Sequence, residues 1–266
     1  MLIIAACQPQ VRALGPSAPP GMLSNQLKLN PDKTHIMTLG TSQRLLQPGK
    51  KVSVVMDDII LEEDPQKFET ILGCCIQPDL KWHKQISELQ HKLKKRLAGL
   101  AHIKFILPFS TRKIISEGIF NSVLVYCLPL FGGCDVQELK DLQTLQNKAA
   151  WIVTHSAHRT HRKDMFNKLG WLTVKQLVTY HTLLTVYRVR QTKEPEYLSS
   201  ILCKDNRFGK IIVPNTRLTL TQKSFTTRGA CNWNSLPPEI RKLDTLSCFK
   251  QEVKKWIKLN VPRFVD

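Results

Sequence analysis

WHKQISELQHKLKKRLAGLAHI, residues 82–103, decides the architecture of this chain. Ile86, Leu89, Leu93, Leu97, Leu100 and Ile103 recur at spacings of three and four and fall on one helical stripe, while Lys92, Lys94, Lys95 and Arg96 occupy the other faces. Such a stripe needs apolar partners, and the sequence downstream supplies them. Pro108 stops the helix, and Ser110 or Thr111 is placed to cap a second one running to about Leu128. A third begins near Asp135 and carries Leu139, Leu142, Leu145, Ala149 and Ile152 on one face. Short connections between the three predict antiparallel packing, so residues 81–155 read as a helical bundle. A further helical block spans Thr173 to Arg190, and a last helix near residues 245–259 presents Phe249, Val253, Trp256 and Ile257. The stretch from Asp205 to Gly229 holds Asn, Arg, Thr and Gly without period and reads as mostly loop.

Upstream of Trp82 the pattern is different. KTHIMTLG (33–40), VSVVM (52–56) and IILEE (59–63) read as short strands, with Asp57 and Asp58 as the polar tip of a hairpin. Residues 1–22 hold Pro9, Pro16, Pro19 and Pro20 with no periodic pattern, and are expected to form a disordered leader. The expected fold is therefore α+β and mainly helical. After the leader come a small β-hairpin element at 23–80, the helical bundle at 81–155 and a helical C-terminal region at 156–266.

Composition narrows the function classes. Of 266 residues, 42% are hydrophobic and 23% charged, as in a folded globular protein. Thirty-nine Lys and Arg against 21 Asp and Glu leave a formal charge of +18, which makes a polyanion the natural partner and nucleic acid the first candidate. The eight cysteines are irregularly spaced and form no C-x-x-C pair, so a reduced intracellular protein, cytoplasmic or nuclear, is expected. The opening MLIIAAC is too short, and lacks the basic flank, for a signal peptide or membrane span. Neither a Gly-rich phosphate loop of the Lys-Ser/Thr kind nor a G-x-S-x-G elbow occurs.

Two strings, LKLNPDKTHIM (27–37) and LGCCIQPDLKWHKQI (72–86), are joined in order by seven others. These are YCLPLFGG (126–133), LQTLQNKAAWIVT (142–154), LGWLTVKQLVTYH (169–181), PEYL (195–198), SFTTRG (224–229), WNSLP (233–237) and FKQEVKKWI (249–257). In this order the chain, over roughly residues 22–266, resembles the C-terminal part of the reverse transcriptase of non-LTR, LINE-type retrotransposons. The resemblance implies a residual palm element at 23–80, a thumb-like bundle at 81–155, and a parent enzyme that is an RNA-directed DNA polymerase using Mg2+. In that family an Asn-x-x-Lys-Thr segment follows the catalytic Asp pair, and here it is matched by Asn30, Lys33 and Thr34. Lys33 would then be the general acid that protonates pyrophosphate in the parent enzyme. Gly73 would sit in the primer-grip hairpin.

The residues themselves weigh against catalysis by this chain alone. Two-metal phosphoryl transfer needs carboxylates from separate strands, yet residues 1–31 contain no Asp or Glu. The Met-Asp-Asp at 56–58 also comes after LKLNPDKT, the reverse of the family's order. No complete catalytic set, metal site or cofactor is assigned to this chain, which is expected to be inactive as a polymerase. His155, His158 and His161 form a metal-like run, but Arg159, Arg162 and Lys163 beside it would repel a cation. The binding candidates are basic: between residues 84 and 113 lie Lys84, Lys92, Lys94, Lys95, Arg96, Lys104, Arg112 and Lys113 against the single acid Glu88. They are read either as a groove following an RNA or DNA backbone, or as a solvated helix face. Gly73 either lets a nucleic-acid strand approach the backbone or serves only as a turn residue. Trp82 either stacks on a base or belongs to the core. The expected function is thus a truncated reverse transcriptase with non-specific nucleic-acid binding. The alternative is a captured helical interaction scaffold, or a relic without a nucleic-acid role.

Overall fold

A computed structural model describes residues 2–6, 34–45, 53–56, 59–62, 68–156 and 160–262. The chain divides into two compact units, Met1–Gln85 and Ile86–Asp266. Among the described residues the secondary structure is mainly helical with three small two-stranded sheets, an α+β composition as expected.

In the first unit β1 (Leu2–Ala6) pairs in parallel with β2 (His35–Leu39), Leu2 facing His35. This corrects the expected leader at its start. LIIAA is an apolar run with adjacent β-branched residues, and pairing with HIMTL engages the backbone groups along one of its edges. Residues 7–22 lie outside the described residues, as does Lys33. A short helix, α1 (Ser42–Leu45), follows β2. β3 (Ser53–Met56) and β4 (Ile59–Glu62) then pair antiparallel with Met56 opposite Ile59, as the hairpin reading expects. Asp57 and Asp58 themselves lie outside the described residues. β5 (Glu69–Ile71) and β6 (Cys74–Ile76) form a second hairpin, tied to the helix that follows by a 2.8 Å hydrogen bond from the Cys75 N–H to Gln85 Oε1.

That helix is α2 (His83–His102), and its stripe is buried as read: Ile86, Leu89, Leu93, Leu97 and Leu100 are all core residues. In the second unit α3 (Phe109–Ser116) continues through a π-helical turn (Glu117–Asn121) into α4 (Ser122–Val125), and α5 (Leu128–Phe131) follows. The N-cap of α3 is Pro108, with an extended backbone and no capping side chain, and not Ser110 or Thr111. α6 (Val136–Thr154) starts at Asp135, whose N–H is accepted by Glu138 at 2.9 Å. Then come α7 (Arg162–Leu169), α8 (Val174–Thr192) and α9 (Glu196–Leu202). After them lie α10 (Thr219–Gln222), α11 (Phe225–Ser235), α12 (Pro238–Arg241) and α13 (Leu246–Asn260). α10 and the start of α11 fall within the stretch read as loop.

α8 is the hub. Val174, Val178, Leu183, Leu184, Val186, Tyr187 and Val189 are buried nearly all round it, and α4, α5, α6, α9, α11 and α13 pack against it. A helix enclosed this way must have its end groups satisfied internally, and glutamines do it. Gln143 Oε1 on α6 accepts the Val174 N–H at 2.8 Å, and Gln146 Nε2 donates to the Leu172 carbonyl at 2.9 Å. Gln143 Nε2 also donates to Gln146 Oε1 at 3.1 Å, so the two side chains orient each other. On α8, Gln176 accepts the Thr173 N–H at 3.2 Å and donates to the Val261 carbonyl at 3.1 Å, closing the end of α13.

Among the described cysteines all seven are free. Cys74, Cys75 and Cys134 are buried, whereas Cys231 and Cys248 are exposed. Burial pushes the Cys134 thiol up from 9.0 to about 12. Alkylation of the native protein near neutral pH should therefore modify Cys231 and Cys248 and spare Cys134; peptide mapping that finds Cys134 labelled first would contradict this packing. Gln143→Leu, which removes the acceptor for the buried Val174 N–H, should cost about 1–3 kcal/mol. A denaturation midpoint equal to that of the native protein would show that α8 does not depend on this contact.

Candidate nucleic-acid interface

With 3.6 residues per turn and the stripe from Ile86 to Leu100 facing inward, the cations of α2 have fixed places. Lys95 lies opposite the stripe, Lys94 on one flank, and Lys92 and Arg96, one turn apart, on the other. All four are exposed, and none has a hydrogen-bond or ion-pair partner among the described residues. Ala98, Gly99, Ala101 and His102 continue the exposed side toward the C-terminus.

The remaining sequence candidates divide differently. Lys104 is buried, its Nζ lying 3.7 Å over the Trp151 ring and 5.2 Å from the Phe105 ring centre. Arg112 is buried too, and its Nη1 donates to the Lys104 carbonyl. Their expected role as surface phosphate ligands is corrected: where the chain reverses between α2 and α3, a guanidinium takes up the carbonyl at the helix end and an ammonium sits on an aromatic face. Lys113 is half-buried with its ammonium 4.0 Å from Glu117. Lys84 lies 4.8 Å over the Phe68 ring.

Leu72 and Gly73 form the two-residue turn of the β5–β6 hairpin with φ of 48° and 79°. Both angles are those of a tight hairpin turn, and at Gly73 they demand no Cβ. Leu72 is 86% exposed at this tip. Trp82 is half-buried. The histidine run is divided between two helix ends. His155 caps α6 in the left-handed conformation, and His161 caps α7 with its Nδ1 accepting the Lys163 N–H at 3.4 Å. His158 lies outside the described residues.

Several strings that drew attention in the sequence are spent on packing. In FGG a Cβ on Gly133 would collide with the Lys223 carbonyl oxygen, and one on Gly132 would meet Val178 Cγ1 at 2.6 Å. Arg228 of SFTTRG donates to the Pro129 carbonyl at 2.7 Å and to that of Lys223 at 3.0 Å, and burial pulls its guanidinium down to about 10. Asn234 of WNSLP accepts the Ile211 N–H and donates to the Ile211 carbonyl, both at 2.8 Å, holding that segment as a strand partner would. Arg190 pairs with Asp205 through two hydrogen bonds of 2.9 and 2.7 Å while lying over Trp233.

No protein family, curated protein or solved structure matches this chain. Among the described residues no helix is long and apolar enough to cross a membrane.

The four cations of α2 thus lie within five residues on the three exposed sides of a rigid element, and their charge suits phosphate oxygens. Phe105, Ile106 and Trp151, exposed beside the buried Lys104, were not singled out from the sequence. The available signal was the run IKFIL at 103–107, which holds more apolar side chains than one helix face can bury. Lys104→Gln should destabilise the fold by about 1–2 kcal/mol through loss of its aromatic contact, whereas Lys95→Gln should leave stability within about 0.5 kcal/mol. Equal denaturation curves for the two variants would remove the distinction between structural and free cations.

Proposed function

We propose that this chain is the C-terminal part of a non-LTR retrotransposon reverse transcriptase, with a palm-derived element in its first unit and a thumb-like bundle beginning at α2, whose activity on its own is non-specific binding of RNA or DNA. The observation that carries the binding reading is the set Lys92, Lys94, Lys95 and Arg96, exposed and unpaired on one helix. Supporting it are the charge of +18 and the order of the motifs along the sequence. The β5–β6 hairpin, formed at the Leu72-Gly73 pair that matches the family's primer grip, adds to this. Each phosphate neutralised by such a cation releases condensed counterions, so affinity comes from charge and falls steeply with salt.

Polymerisation by this chain alone is not part of the proposal. Residues 1–31 hold no carboxylate to share metal ions with Asp57 and Asp58, and Lys33 has no nucleotide to protonate without them. Mg2+ belongs to the parent enzyme. Free thiols without a disulfide among the described residues agree with a reduced cytoplasmic or nuclear setting.

A second reading, an interaction scaffold without a nucleic-acid role, is favoured by one observation: FGG, TTRG and WNSLP serve the interior of the second unit. One experiment separates the two. Changing Lys92, Lys94, Lys95 and Arg96 together to Gln should weaken retention on RNA and flatten the dependence of log K on log salt by about 3. Unchanged retention and slope would leave the scaffold reading standing.

A further inference from the structure

Beyond the cations of α2 the chain reaches the turn between α2 and α3, and there the surface changes character. Phe105 is 77% exposed and Ile106 76% exposed, an unusual display for two large apolar residues in succession. Phe105 is nevertheless held in place. Its ring meets His155 perpendicularly at 5.0 Å between centroids, and Lys104 Nζ lies between the Phe105 and Trp151 rings. His155 is set there by α6, whose end it caps in a left-handed conformation with its N–H bonded to the Trp151 carbonyl at 3.0 Å. An exposed aromatic ring is thus fixed by an imidazole and an ammonium just past the end of α2, the helix that carries the four cations.

We infer that Phe105 is a stacking platform for an unpaired base, which joins the cations of α2 in a site for single-stranded nucleic acid. The inference rests on the binding reading above. A ring face accepts any base, and only a base not already stacked in a duplex can reach it, so this feature distinguishes single from double strands where the cations alone do not. The charge around the turn favours nucleic acid over an apolar protein partner. From residue 84 to 113 there is one acid, Glu88, and the cation nearest the ring, Lys104, is oriented by it.

The test uses the full chain with two probes, a 20-nucleotide oligouridylate and a 20-base-pair duplex, titrated by fluorescence anisotropy at constant salt. Phe105→Ala should weaken the single strand about tenfold and leave the duplex within twofold, and Phe105→Trp should restore single-strand binding. An unchanged denaturation midpoint for Phe105→Ala excludes loss of fold as the cause. Equal weakening of both probes, or of neither, overturns the stacking platform. So does a variant whose sole change is loss of self-association in sedimentation velocity, which would make the tip a contact between copies of the chain. The Gln variant of Lys92, Lys94, Lys95 and Arg96, run in parallel, keeps the two readings apart. If it binds both probes like the native chain, the binding reading itself fails. If it loses both while Phe105→Ala loses neither, only the platform fails.

Discussion

The buried start of α8 is the constraint on which the second unit depends. A helix apolar nearly all round needs a complete wall of neighbours, yet its first N–H groups need acceptors that apolar neighbours do not offer. Gln143 resolves this by giving Oε1 to the Val174 N–H while its Nε2 engages Gln146, and Gln146 in turn takes the Leu172 carbonyl. Because each amide is oriented by the next, the pair fixes the register of α6 against α8. Gln176 carries the same logic to the end of α13. Leaving any one of these buried groups unpaired costs more than the bond itself contributes, since water cannot replace it.

Around that frame the close approaches are made by glycine and the long reaches by arginine. Gly132, Gly133 and Gly229 each stand where a Cβ would meet a neighbouring element, and Arg228 and Arg190 span between elements to carbonyls that helix ends leave open. This explains how a strongly basic chain can hold half-buried arginines against its core. Their charge is absorbed by carbonyls, by one carboxylate and by aromatic faces, while the cations of α2 are left to solvent.

The contrast between Lys95 and Lys104 decides what the basic run can do. Both belong to one stretch of sequence, and a count of charge treats them alike. Lys95 stands on a helix opposite the buried stripe, whereas Lys104 lies past the helix end, where the chain turns inward over Trp151. Only the first kind is available to a polyanion. Of the eight cations that the stretch from Lys84 to Lys113 contains, the four of α2 are therefore the ones exposed without a partner among the described residues.

Much of the helical fold was legible because periodicity is a local property. The stripes of α2, α6 and α13 lie where their spacing puts them, and the start of α6 follows from Asp135 and Glu138. α7 and α11 were hidden for a physical reason. α7 is short and polar except at Met165, Phe166 and Leu169, and α11 contains Thr226, Thr227 and Gly229, which weaken a helix until neighbours supply its stability. β1 was missed because a strand is recognised by its partner, and β2 lies far along the sequence. The sequence by itself determined the mainly helical class and the basic face, since these follow from residue type and spacing. Only the tertiary structure decided which cations are buried and which aromatic ring is exposed, because burial depends on what packs across from a residue.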